Sequence, residues 1–117
     1  MASFSKQKLS SCTNGKGIKV VATATAGTAI HTAVTGTTDW DEVYIYAVNA
    51  HTAAVILTLE WGGVTDPDDL IEITIPQSSG LYLVAPGLLL QNGLGIAAFA
   101  SVANVITIFG FANRITA

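Results

Sequence analysis

The sequence predicts an all-β, single-domain antiparallel sandwich of jelly-roll type. Three observations lead there: apolar residues recur with period two, no stretch sustains a helical apolar stripe, and turn-forming residues return at short intervals. A chain of 117 residues fits one domain and is long enough to bury one core without covalent staples.

Each element follows from its own pattern. "GIKVVATA" (17–24) and "TAIHTAV" (28–34) read as two small-residue strands meeting at Gly27. Their alanines and threonines suit either close approach by another sheet or subunit, or an edge faced with hydroxyls. "WDEVYIYAVNA" (40–50) sets Val43, Ile45 and Ala47 against Tyr44, Tyr46 and Val48. "AAVILTLEW" (53–61) sets Val55, Leu57, Leu59 and Trp61 against Ile56, Thr58 and Glu60, and "LIEITIP" (70–76) sets Ile71, Ile73 and Ile75 against Leu70, Glu72 and Thr74. "GLYLVA" (80–85), a short "PGLLL" (86–90), "LGIAAFA" (94–100) and "NVITIFGFANRI" (104–115) complete eight or nine strands. Pro67, Pro76 and Pro86 are expected between strands or at a strand end, where a missing N–H costs little. Residues 17–117 then form the sandwich. The preceding "MASFSKQKLSSCTNGK" (1–16) lacks strand pattern and predicts a flexible or extended basic arm. It reads either as a frayed terminus or as an arm laid on an acidic neighbour.

Charge is scarce and segregated. Only 11% of residues are charged, against about 25% in an average soluble domain. Lys6, Lys8, Lys16 and Lys19 supply four of the five cations, and all eight acids lie between Asp39 and Glu72. No charged residue occurs from Ile73 to Asn113. Such a bare surface predicts a protein cover. A lipid cover is disfavoured: "GIAAFASVANVITIFGFA" (95–112) has the length of a membrane span but carries Ser101, Asn104, Thr107 and two glycines. The opening residues lack the apolar segment of a secretory signal. Four dispersed lysines without interleaved aromatics make a poor nucleic-acid footprint. Cys12 is the only cysteine, which excludes an internal disulfide and a cysteine-based zinc site and suits a reducing compartment.

No catalytic, cofactor or metal site is expected. Asp66, Asp68 and Asp69 follow Gly62-Gly63 in "EWGGVTDPDDL" but lack the spacing of a calcium loop, and read as a solvated hairpin tip with at most weak cation affinity. Glu60 and Glu72 flank that hairpin and are expected in solvent, or paired with a lysine, rather than as an acid–base pair. Asp39, Asp41 and Glu42 read as a cluster where a strand begins. His31 and His51 show no metal-binding spacing and are expected on a strand surface or in a loop. No local context supports a nucleophile. Trp40, Trp61, Tyr44, Tyr46 and Tyr82 suit core packing or edge sealing better than a sugar platform.

The pieces "VYIYAVNA", "TLEWGG…DPDDLIEITIP", "GLYLVAPGLLLQNG" and "ANVITIFGFANRI" resemble, in texture and order over about residues 40–115, the head decoration (cement) proteins of tailed bacteriophages. The resemblance implies a β-rich structural protein, commonly trimeric, that bridges major capsid protein subunits on the capsid surface of a virion assembled in the host cytoplasm. It brings no catalytic residues or cofactors, and it does not extend to the N-terminal third. On this reading Val105, Thr107, Phe109, Phe111, Leu88 and Leu90 are the candidate subunit interface. Lys6, Lys8, Lys16 and Lys19 are the candidate capsid contact. No nucleic acid or membrane partner is expected. A head–tail adaptor, a tail component and a lectin-like glycan-binding module are the alternatives.

Overall fold

The computed structural model describes residues 3–116 as nine strands without a helix. They are β1 (Ser3–Lys8), β2 (Ile18–Lys19), β3 (Thr28–Thr32), β4 (Trp40–Asn49), β5 (Val55–Trp61), β6 (Leu70–Ile75), β7 (Tyr82–Leu90), β8 (Gly95–Ala100) and β9 (Ile106–Thr116). One sheet runs β1–β9–β4–β7, with β2 continuing beside β9; the other runs β3–β8–β5–β6. All recorded pairings are antiparallel.

The pairing order defines the fold. β5 pairs with β6, β4 with β7, β3 with β8 and β2 with β9, so each pair encloses the one before. This is one long antiparallel hairpin whose closed end is β5–β6. Rolling it brings β4 beside β9 and β5 beside β8, which divides the strands between two sheets. The result is a jelly-roll sandwich.

Period-two patterning decides what fills the interior. Val43, Ile45 and Ala47 of β4, Ile106, Ile108 and Ala112 of β9, and Ala85 of β7 face inward from the first sheet. Val55, Leu57 and Leu59 of β5, Ile75 of β6, and Ile96, Ala98 and Ala100 of β8 meet them from the second. The segment 95–112, long enough for a membrane span, is instead β8, a turn and most of β9. Among the described residues no helix is long and apolar enough to cross a membrane.

Three elements differ from the sequence expectation. "GLYLVA" and "PGLLL" are one strand, β7, and Pro86 lies inside it rather than between strands. Two register shifts accommodate this, one of them passing Gly87 at φ 93°. β7 pairs only with β4 and is an edge, where a proline and bulges blunt further pairing. The expected strand over 17–24 shortens to β2, because residues 21–27 peel away to cover the second sheet. Within 1–16, residues 3–8 lie along β9 as β1. Their exposure hides them from pattern analysis: one side chain of the six is even half-buried. From β1 the chain crosses to the second sheet, burying Leu9, and is sewn to the free edge of β3. There Ser11 N–H donates to the Ile30 carbonyl, and Thr32 N–H donates to Ser10 Oγ at 2.6 Å.

Close backbone approach sets one stringent requirement. A Cβ added to Gly110 would lie 2.1 Å from the Tyr44 carbonyl oxygen on the neighbouring strand, whereas at Gly95 its closest neighbour would be 3.8 Å away. Gly110→Ala should therefore cost about 1–3 kcal/mol through forced strand displacement. Gly95→Ala should leave stability unchanged or slightly raised. Urea denaturation of both variants checks the contrast, and equal midpoints would contradict it.

Candidate functional site

The two faces of a strand in a sandwich receive different duties, and the outward row of β4 and β9 is the unusual one here. Across these strands Tyr44 is opposite Phe111, Tyr46 opposite Phe109, Val48 opposite Thr107 and Glu42 opposite Asn113. All eight are half-buried at the outer surface of the β1–β9–β4–β7 sheet. The Tyr44 and Phe111 rings stack with centroids 4.8 Å apart and planes 16° from parallel. Cross-strand aromatic contact of this kind also stabilises the sheet.

Neighbouring strands frame this aromatic strip asymmetrically. Along the β1–β2 border, Lys6 and Lys8 are opposite Asn113 and Phe111, and Lys19 is opposite Thr107. The Lys6 ammonium lies 4.4 Å from the Phe111 ring centroid, a cation–π contact. Along the β7 border, Leu83 is opposite Tyr46, Pro86 opposite Tyr44 and Leu89 opposite Glu42. Leu83 and Leu89 are exposed. The Gly17 backbone crosses the remaining corner: a Cβ there would sit 2.3 Å from Thr107 Cγ2 and 2.7 Å from Phe109 Cζ. Glu42 supplies the strip's carboxylate, its Oε1 accepting from Tyr44 Oη at 3.3 Å and Asn113 Nδ2 at 3.2 Å. The Glu42 charge, followed by burial, holds the Tyr44 phenol above its ordinary pKa.

Thr107, Phe109 and Phe111 therefore share one face with Lys6, Lys8 and Lys19. Candidate subunit-interface and capsid-contact residues, far apart in sequence, form one surface. The other candidates lie elsewhere. Leu90 turns inward opposite Asp41 and is 8% exposed, so it contributes core packing. Leu88 is exposed beside Val43, Val105 packs half-buried against the core ahead of β9, and Lys16 is exposed in the turn before β2.

Several polar residues depart from the sequence expectation. Asp41, expected in a cluster where a strand begins, is fully buried, and His31, expected on a strand surface or in a loop, is 3% exposed. Arg114 holds Asp41 in a bidentate pair, Nε to Oδ1 at 2.8 Å and Nη2 to Oδ2 at 3.0 Å. His31 Nε2–H donates to Asp41 Oδ2 at 2.8 Å, while its Nδ1 accepts the Ser10 N–H at 2.9 Å. The backbone donor at Nδ1 fixes the proton on Nε2. The cause at His31 is a register shift in β3 between Ala29 and His31. It reverses the alternation and turns the imidazole inward. Glu60, expected in solvent or paired with a lysine, is also buried and accepts the Gly27 N–H at 2.8 Å. The signal for Asp41 was present in its parity with Val43, Ile45 and Ala47; nothing local marks Glu60.

The acidic tip takes the hairpin form. Trp61 N–H donates to the Asp69 carbonyl and Asp69 N–H to the Thr65 carbonyl, both at 2.8 Å. Thr65 N–H donates to the Asp69 carboxylate, and Asp66 and Asp68 are exposed. Glu72 is exposed, and His51 lies in the β4–β5 connection. Among the described residues no group of three or more His, Cys, Asp or Glu side chains is placed to hold a metal ion. Trp40 lines an apolar pocket of about 590 Å³ with Leu89, Leu90 and Leu94, and Trp61 Nε1–H donates to the Leu89 carbonyl. No family model, curated protein or solved structure matches the chain.

Burial raises the Asp41 pKa, but the hydrogen bonds from Arg114 and His31 and the Arg114 charge outweigh it and hold the carboxyl below its ordinary value. The group thus ionises more readily folded than unfolded. Its contribution to stability is complete above the unfolded pKa of about 3.9 and is lost as pH falls through the lower folded value. Asp41→Asn should lower unfolding free energy near neutral pH by about 3 kcal/mol. It should also flatten the acid limb of the stability profile. Urea titrations across that range test both, and an unchanged acid limb would count against the assignment.

Proposed function

We propose that the protein is a structural virion component, a capsid decoration protein that associates as a trimer and bridges neighbouring major capsid protein subunits of a phage head. The observation that carries this reading is the outer face of the β1–β9–β4–β7 sheet. An aromatic strip bordered by lysines on one side and exposed leucines on the other has the composition of an interface core with a polar rim. Further support comes from the uncharged run 73–113, which supplies β7, β8 and most of β9, and from the resemblance in the order of strands and turns. On this reading weak contacts at several points on a capsid add through multivalency. No catalytic step and no cofactor belong to it.

A head–tail adaptor or tail component would use the same face, and the position of the protein in a particle reconstruction separates these roles from decoration. A lectin-like reading is favoured by one feature, the Trp40 pocket with Gln91 and Asn92 at its rim. Binding on a glycan array would support it.

Phe111→Asp places a carboxylate at the centre of the strip, whereas Asp68→Ala alters only the distant hairpin tip. By light scattering the first substitution should reduce the trimer to monomers and abolish binding to expanded capsids. The second should change neither. Equal particle sizes for the two variants would contradict the assignment of this face.

A further inference from the structure

The outer face of the second sheet is built for a different contact. Its cross-strand row runs Ala29, Ala97, Glu60 over β3, β8 and β5. Gly62 and Gly95, joined by the Gly62 N–H to Gly95 carbonyl bond at 2.8 Å, continue the same low floor. With Ala26, Gly27, Gly63 and Val64, and with His31, Thr32 and Ile96 at its lining, this floor forms an open cleft of about 320 Å³. Gly27 is pressed onto β8 so closely that a Cβ would lie 2.6 Å from the Ala98 carbonyl oxygen.

Glu60 lines this cleft and is only 2% exposed. Its Oε1 accepts the Gly27 N–H, and its Oε2 has no hydrogen-bond partner among the described residues. A carboxylate can accept about four hydrogen bonds. One backbone donor leaves a buried anion poorly compensated. The site therefore favours a ligand that brings a positively charged donor.

We infer that the cleft receives a lysine ammonium from a second copy of this chain. An ammonium concentrates its donors at a point, which suits one idle oxygen; a guanidinium fork suits two parallel acceptors, and Oε1 is already engaged. The alanine and glycine floor admits a slender methylene stem. Charge distribution identifies the source. Residues 1–19 carry four lysines and no acid, whereas residues 20–117 carry one arginine against eight acids, a net charge of −7. Arg114 is committed to Asp41 and Lys6 lies over Phe111, while Lys8, Lys16 and Lys19 are exposed. The contact joins the β1–β2 border of one copy to the opposite outer face of the next. Such a heterologous contact closes into a ring when its rotation permits. The inference thus deepens the trimer reading and rests on it for the source of the lysine, but it uses other residues.

The chemistry is tested by titrating n-butylammonium chloride into isotope-labelled protein and following the Gly27, Gly95 and Ala97 amides by NMR. Saturable shifts are expected, about tenfold weaker with n-butanol, and lost in Glu60→Gln. Ala97→Leu, which fills the floor and leaves Glu60 in place, should abolish them too and serves if Glu60→Gln fails to fold. Shifts that are absent, equal with n-butanol, or retained in both variants overturn the ammonium site. The source is tested by carbodiimide coupling of mixed light and heavy protein. A link from Glu60 to Lys8, Lys16 or Lys19 of the other isotope is expected, and the triple lysine-to-methionine variant should lose it and dissociate. A trimer unaffected by Glu60→Gln overturns this inference while the trimer reading stands. A wild-type chain that stays monomeric overturns that reading and the second-copy source together, and the butylammonium result then judges the cleft alone.

Discussion

The inward row of β4 is the constraint around which the sandwich is organised. It begins with Asp41, continues through Val43, Ile45 and Ala47, and ends with Asn49. The apolar middle is ordinary core. The two ends tie the sheets together by directional bonds. At one end Asp41 joins Arg114 on the adjacent strand to His31 from the opposite sheet, with the Val34 N–H also donating to it. At the other, Asn49 Nδ2 donates to the carbonyls of Ala53 and Ile75, and its Oδ1 accepts the His51 N–H. Apolar burial tolerates sliding of one sheet over the other, whereas these clasps permit one relative position. The N-terminal segment depends on the same clasp, since Ser10 is held by the His31 ring.

Most of the architecture was legible because strand faces alternate. The inward sets of β4, β5 and β6 and the two apolar faces of β9 follow directly from period two. Polar burial was less legible, for physical reasons that differ by residue. Asp41 obeys the alternation of β4, but the Arg114 and His31 partners that make its burial tolerable come from distant strands and leave no local mark. His31 is turned inward by a bulge, which leaves no local mark. Glu60 stands on an outward row and is buried by a loop some thirty residues away, held by the Gly27 N–H. β1 escaped notice because an edge strand with both faces exposed needs backbone pairing and no apolar pattern. The aromatic strip could be read strand by strand; its lysine border could not, since it depends on β1 and β2 flanking β9.

The two outer faces of the sandwich contrast in chemistry. One presents aromatic rings between lysines and leucines. The other presents alanines and glycines under two loops, with an anion below. Edge protection follows the same division of labour: β7 is blunted by Pro86 and its bulges, and β3 is covered by the strap of Ser10 and Ser11. Strand addition is thereby disfavoured at these two edges.

The nested pairing order carries a consequence for biosynthesis. β9 is synthesised after every strand it pairs with, yet it lies between β1 with β2 on one side and β4 on the other. Until it emerges, the first sheet has no centre, and the aromatic strip and its lysine border do not exist as a surface. Among the described strands, the closed β5–β6 end is the only pairing between neighbours in the chain. Synthesis of β9, and with it a slow step dominated by distant contacts, thus gates the appearance of this outer face. A chain that stops short of β9 lacks that surface.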